Sequence, residues 1–160
     1  RYLGSVPGCD EGWGLYAESL ADELGLMPTP EDRFGRLAAR RWRLARVLVD
    51  LGVHSRLPVP DDVAALPGAS REWNRATVTA VLRHHTVISE GRLRFEVSRH
   101  LGWPAQPLAY AVGERVWRAG RRSAQAQARA EGGELDLRAF HKRGIDLGSV
   151  GLDLLASALH

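Results

Sequence analysis

Apolar residues recur along this chain at three- and four-residue spacings, with little strict alternation and few β-branched runs. That rhythm predicts helix after helix. Asp10 is the expected N-cap of a first helix over Glu11–Leu24, ended by Gly25. Trp13, Tyr16, Ala17, Leu20 and Leu24 form its apolar stripe. Pro28-Thr29-Pro30 breaks the chain, and Thr29 followed by Pro30, Glu31 and Asp32 opens a long helix to about Val53. Phe34, Leu37, Leu44, Leu48 and Leu51 repeat on one side of it. A short turn over Asp61–Leu66 follows between prolines, then a helix over Arg71–His85. Ser89 and Glu90 open another, ending near Gly102, and Trp103-Pro104 makes a sharp junction. A long helix over Ala105–Ala130 stops at Gly132-Gly133, Asp136 caps one reaching Leu147, and Leu152–Leu159 is the last. The pattern predicts an all-α fold. No period of roughly 30 to 45 residues marks a helical solenoid.

Composition narrows the classes. A length of 160 residues suits one helical domain over 1–160, or a fragment of a larger one. The opening Arg1-Tyr2-Leu3-Gly4 starts in mid-pattern without a methionine, so the expectation is a piece of a longer protein. No apolar run approaches the roughly 20 residues of a membrane-spanning helix, and no membrane association is expected. No leader is visible, and the cytoplasm is the slightly favoured compartment. Cys9 is the single cysteine, which excludes an internal disulfide and a cysteine-based zinc site. The net charge is +3, and Lys142 is the one lysine. Arg33, Arg36, Arg40 and Arg43 read as a solvated helix face without interleaved aromatics. Nucleic-acid binding therefore ranks last among the functions considered.

Several residues have spacings that can carry chemistry. Glu11, Glu18 and Asp22 stand at i, i+7 and i+11, so three carboxylates share one helix face. They read either as a solvated acidic face or as a source of one metal ligand. Asp50 and His54 are four apart near a helix end, where a carboxylate can fix the imidazole tautomer and His54 can donate to an oxyanion. The plain alternative is a histidine favoured by the helix dipole. His84-His85 are adjacent and point about 100° apart, which is wrong for a helical zinc pair. No histidine falls in an HExxH pattern, and no phosphate-binding glycine loop is present.

The run Glu11-Gly-Trp-Gly-Leu-Tyr-Ala-Glu18 closely resembles the EGWALYAE signature of the bacterial domain-of-unknown-function 885 family. Asp32-Arg-Phe-Gly-Arg-Leu37 is similar to its D-R-x-G-R-L stretch, and Val49-Asp-Leu-Gly-Val-His54 to V-D-T-G-I-H. Glu96-Val-Ser-Arg-His100 with Trp103-Pro-Ala-Gln-Pro-Leu-Ala-Tyr110 resembles E-V-x-R-Y followed by W-P-G-Q-A-L-A-Y. Leu137-Arg-Ala-Phe-His141 and Leu147-Gly-Ser149 resemble L-R-x-F-H and H-G-S. The matches fall in the family's order and span nearly the whole chain.

The resemblance implies the C-terminal part of a helical zinc-peptidase scaffold, gluzincin-like, that hydrolyses a peptide or other amide bond. The family's HExxPGHH stretch precedes EGWALYAE, so the paired histidines would lie outside this chain. Glu11 matches the third zinc ligand. His54 and Tyr110 match oxyanion-stabilising positions, Arg99 a group pairing with a substrate carboxylate, and His141 a further cleft position. Zinc would need a companion segment carrying HExxH, or a homo-oligomer would cover the exposed faces of a half-scaffold. The alternative is a catalytically inactive helical domain serving as a binding module. It draws on the departures from the pattern: Gly14 for alanine, His100 for tyrosine, Ala105 for glycine, Pro107 for alanine, Ala111 for lysine, Leu147 for histidine and Gly151 for proline.

Overall fold

The structure, a computed structural model, describes residues 4–159. Eight helices and no strand occur among them: α1 Pro7–Glu23, α2 Pro30–His54, α3 Asp61–Ala64, α4 Arg75–His85, α5 Glu90–Gly102, α6 Leu108–Ala130, α7 Leu137–Asp146 and α8 Leu152–Leu159. The all-α expectation holds. None of the helices is long and apolar enough to cross a membrane.

Local chemistry sets most of the ends. Thr29 caps α2 with a reciprocal box: its hydroxyl accepts from the Asp32 N–H, and the Asp32 carboxylate accepts from the Thr29 N–H, both at 3.2 Å. Ser89 and Asp136 cap α5 and α7 through the N–H groups of Arg92 and Ala139. Three starts differ from the expected ones. α6 begins at Leu108 rather than Ala105, because Ala105 takes a left-handed φ of +66° that no helix continues. α4 begins at Arg75 rather than Arg71, because Asn74 takes the Thr77 N–H at 3.0 Å and outcompetes the residues before it. α1 begins at Pro7, a full turn before Glu11, because proline is preorganised for the first helical position. Asp10 is thus inside the first turn of α1, not its cap, and accepts from the Ser5 hydroxyl at 2.6 Å.

The chain divides into two compact units. The first comprises Arg1–Leu26 and Ala109–His160 and the second Met27–Leu108. The first unit is centred on aromatic packing: Trp13, Tyr16, Trp117, Phe140 and His141 contact one another, with Tyr16 stacked on Trp117 at 5.6 Å between centroids. Leu155 and Leu159 of α8 complete that core. The second unit is packed with valine and alanine: Ala45, Val49, Val78, Val81 and Val97, with Leu82 and Leu93. Each fully buried side chain there contributes on the order of 1.5–3 kcal/mol.

The face of α2 that is buried is not the expected one. Phe34, Leu37 and Leu44 are 74%, 55% and 46% exposed, while Ala45, Arg46, Val49, Asp50 and Gly52 are buried. The reason is close approach. A Cβ on Gly52 would lie 2.1 Å from the Trp73 ring, so that ring seats on α2 at Gly52 and turns this face of the helix inward.

Candidate functional site

In the first unit, two helix backbones touch. A Cβ on Gly12 of α1 would lie 2.3 Å from the Gly113 Cα, and one on Gly113 of α6 would lie 1.8 Å from the Gly8 carbonyl oxygen. Only glycine permits that crossing. Gly12 follows Glu11 directly, and Tyr110 sits one turn before Gly113, so both half-buried residues stand within one turn of the crossing. The start of α1 is held from the far end of the chain: the Ser149 hydroxyl accepts the Val6 N–H at 2.7 Å, and the Cys9 thiol donates to the Gly148 carbonyl at 3.6 Å. Gly14, by contrast, faces open space. The alanine it replaces in the signature would fit without contact.

His141 lies elsewhere on this unit. Its Nε2 is 2.8 Å from the Tyr16 hydroxyl, which also accepts from Arg121 at 3.3 Å. Arg121 in turn makes two hydrogen bonds to Glu23, at 3.1 and 2.7 Å. Burial keeps the His141 pKa below the ordinary imidazole value and raises that of Tyr16. Trp13, Leu20 and Leu24, the groove side of α1, are about 180–220° around the helix from Glu11. His141, which borders that groove, therefore does not join Glu11.

In the second unit three signature stretches interlock. The Asp50 carboxylate accepts the Ala105 N–H at 3.0 and 3.1 Å. His54 Nε2 donates to the His100 carbonyl at 2.8 Å. A carbonyl can only accept, so that nitrogen carries the proton. The expected Asp50–His54 hydrogen bond is not formed, since their closest atoms are 3.9 Å apart. Arg46 and Arg99 both donate to the Gln106 side-chain oxygen, at 3.2 and 3.0 Å. Arg99 also lies over Trp103 and pairs with Glu96 at 3.7 Å. The structure thus brings His54 and Arg99 to one junction, residues 100–106, and gives each an internal partner.

Beneath that junction lies a buried charge cluster that periodicity alone does not reveal. Glu96 is fully buried, and its oxygens make no hydrogen bond but lie in ion-pair range of Arg92 at 3.6 Å, Arg99 at 3.7 Å and Arg46 at 3.9 Å, with the His100 ring 3.3 Å away. His100 Nε2 accepts from Arg46 at 3.0 Å, so the neutral imidazole carries its proton on Nδ1. Burial first, then the Arg46 and Arg99 charges, push the His100 pKa down to about 4. The available signal was the spacing Glu96, Arg99, His100, which reads as polar yet sits on the inner face of α5.

Ala105 has φ +66°, in the left-handed region. An L-residue there costs roughly 1–2 kcal/mol, partly offset by the smaller unfolded-state entropy of alanine. Ala105→Gly is expected to stabilise the second unit by about 0.5–1 kcal/mol in urea denaturation. An unchanged or lower midpoint would show that the turn bears no strain.

Among the described residues, no group of three or more His, Cys, Asp or Glu side chains could hold a metal ion. These residues do not by themselves make a zinc site, and Glu11 offers one carboxylate at most.

Comparison with known proteins places the chain. No curated protein matches it. A crystal structure described as "the putative lipoprotein from Colwellia psychrerythraea" matches with a TM-score of 0.79 and 28% identity, over 96% of this chain and 23% of that one. The chain thus spans about a quarter of the length of that relative. The profile of the family described as "Bacterial protein of unknown function (DUF885)" matches residues 1–159. With its signature stretches joined as the fold requires, the chain belongs to the bacterial DUF885 family.

Proposed function

We propose that this chain is part of a zinc-dependent, peptidase-like hydrolase acting on a peptide or other amide bond. The observation that carries the reading is the glycine-only crossing of α1 and α6, with Glu11 and Tyr110 flanking it. A carboxylate and a phenol anchored to two touching backbones have little freedom to drift, which is what a hydrolytic site needs from its ligand and its oxyanion donor. Glu11 supplies one metal ligand, and two histidines come from outside the chain. Zinc would supply Lewis-acid activation of water. The Tyr110 hydroxyl donates to the oxyanion that forms when water adds to the amide carbonyl. His54 and Arg99 belong to the second unit, where they shape and charge the 100–106 junction, a place that could pair with a carboxylate.

The second reading is a helical binding module without catalysis. It is favoured by the internal commitments of His54 Nε2 and Arg99, and by the lack of a three-ligand group among the described residues. Metal content separates the two without an activity assay. In the protein expressed from the whole gene, the hydrolase reading expects one equivalent of zinc. Glu11→Ala should cost at least tenfold in zinc affinity, and Glu18→Ala should leave it unchanged. Zinc absent from the parent, with its helical content intact, would leave only the binding module.

A further inference from the structure

The first unit holds a second feature, on the side of α1 away from Glu11. A groove of ≈ 700 Å³ runs between α1 and α7, within the range of small-molecule sites. Its walls are Trp13, Leu20, Leu24 and Ile145, of which Leu24 and Ile145 remain 63% and 50% exposed. Apolar surface of that extent is stabilised when something covers it.

The polar groups at the groove say what kind of molecule fits. The Tyr16 oxygen accepts from Arg121 and shares a hydrogen bond with His141 Nε2, so both the phenol and that imidazole nitrogen are committed to each other. Lys142 and Asp146 neutralise each other as an i, i+4 pair. Arg138 borders the same groove and makes no ion pair or hydrogen bond among the described residues. Among the described residues the groove therefore presents one uncompensated cation at its edge, with an apolar interior.

We propose that this groove binds an amphiphilic monocarboxylate, its apolar body against Trp13, Leu20, Leu24 and Ile145 and its carboxylate on the Arg138 guanidinium. One negative charge with two planar acceptors matches one guanidinium, whereas a phosphate dianion exceeds it. The site is independent of the hydrolase reading, because it faces away from Glu11 and uses no metal.

Calorimetric titration of the protein expressed from the whole gene tests it, with decanoate as the probe. Decanoate should bind saturably below about 1 mM, with decylamine at least tenfold weaker and acetate silent. Arg138→Ala should weaken decanoate by roughly tenfold, the loss expected of one charge-assisted bond. That side chain is exposed, so circular dichroism should show the fold unchanged. Ile145→Asp should abolish binding. Equal binding of decylamine, an Arg138→Ala protein that binds decanoate normally, or no heat with decanoate would each overturn the proposal. So would a dimer in sedimentation that Ile145→Asp dissolves, since the groove would then be an interface between copies.

Discussion

Replacing Gly113 with alanine is expected to destabilise the first unit by about 3 kcal/mol, toward or beyond the upper end for an overpacked core. The added methyl would sit 1.8 Å from the Gly8 carbonyl oxygen and 2.6 Å from the Gly12 Cα. Both are backbone atoms, so no rotamer change relieves the contact, and α6 must move away from α1. The Trp13–Trp117 contact at 4.8 Å should loosen with it. Urea denaturation of Gly113→Ala and the parent measures the loss. Gly14→Ala is the control. It meets no atom within 4 Å, and it replaces a helix-interior glycine, so it should gain roughly 0.5–1 kcal/mol. If both variants matched the parent, the crossing would not be tight and the proposed alignment of Glu11 with Tyr110 would lose its basis.

Acidification should cost the second unit about 3 kcal/mol through His100 alone. Its folded pKa of about 4 lies below the ordinary 6.5, so the folded state favours the neutral ring. The contribution is full above pH 6.5 and is lost as the pH falls through 6.5 toward 4, because the unfolded chain then binds a proton the folded one refuses. At 1.36 kcal/mol per pKa unit, a gap of about 2.5 units gives the stated figure. Burial of the ring is the main cause of the direction, and the Arg46 and Arg99 charges add to it; the 3.0 Å bond from Arg46 also occupies the Nε2 lone pair that a proton would need. His100→Gln keeps an acceptor for Arg46 and cannot titrate. Stability measured from pH 7 to pH 4 should therefore fall less steeply in His100→Gln than in the parent. Parallel curves would show that Arg46 yields to the proton without cost.

The family signatures take on a physical meaning in the fold. Read along the chain, Val49–His54, Glu96–His100 and Trp103–Gln106 are separate short matches. In space they are one lock, Asp50 to Ala105, His54 to His100 and Arg99 to Gln106. Long-range hydrogen bonds leave no periodic trace, so the lock could not be read from spacing. Gly12 and Gly14 look alike in sequence, yet one is a backbone contact and the other open surface.

The sequence by itself determined the helices: all eight stand near their expected places, because caps, prolines and terminal glycines act within a few residues of themselves. It also determined the family, through ordered short motifs. Only the tertiary structure decided which face of α2 is buried and that His141 joins Tyr16 rather than Glu11. Those outcomes depend on which helix comes close enough to demand small residues or offer a partner, and that is settled by atoms far apart in the chain.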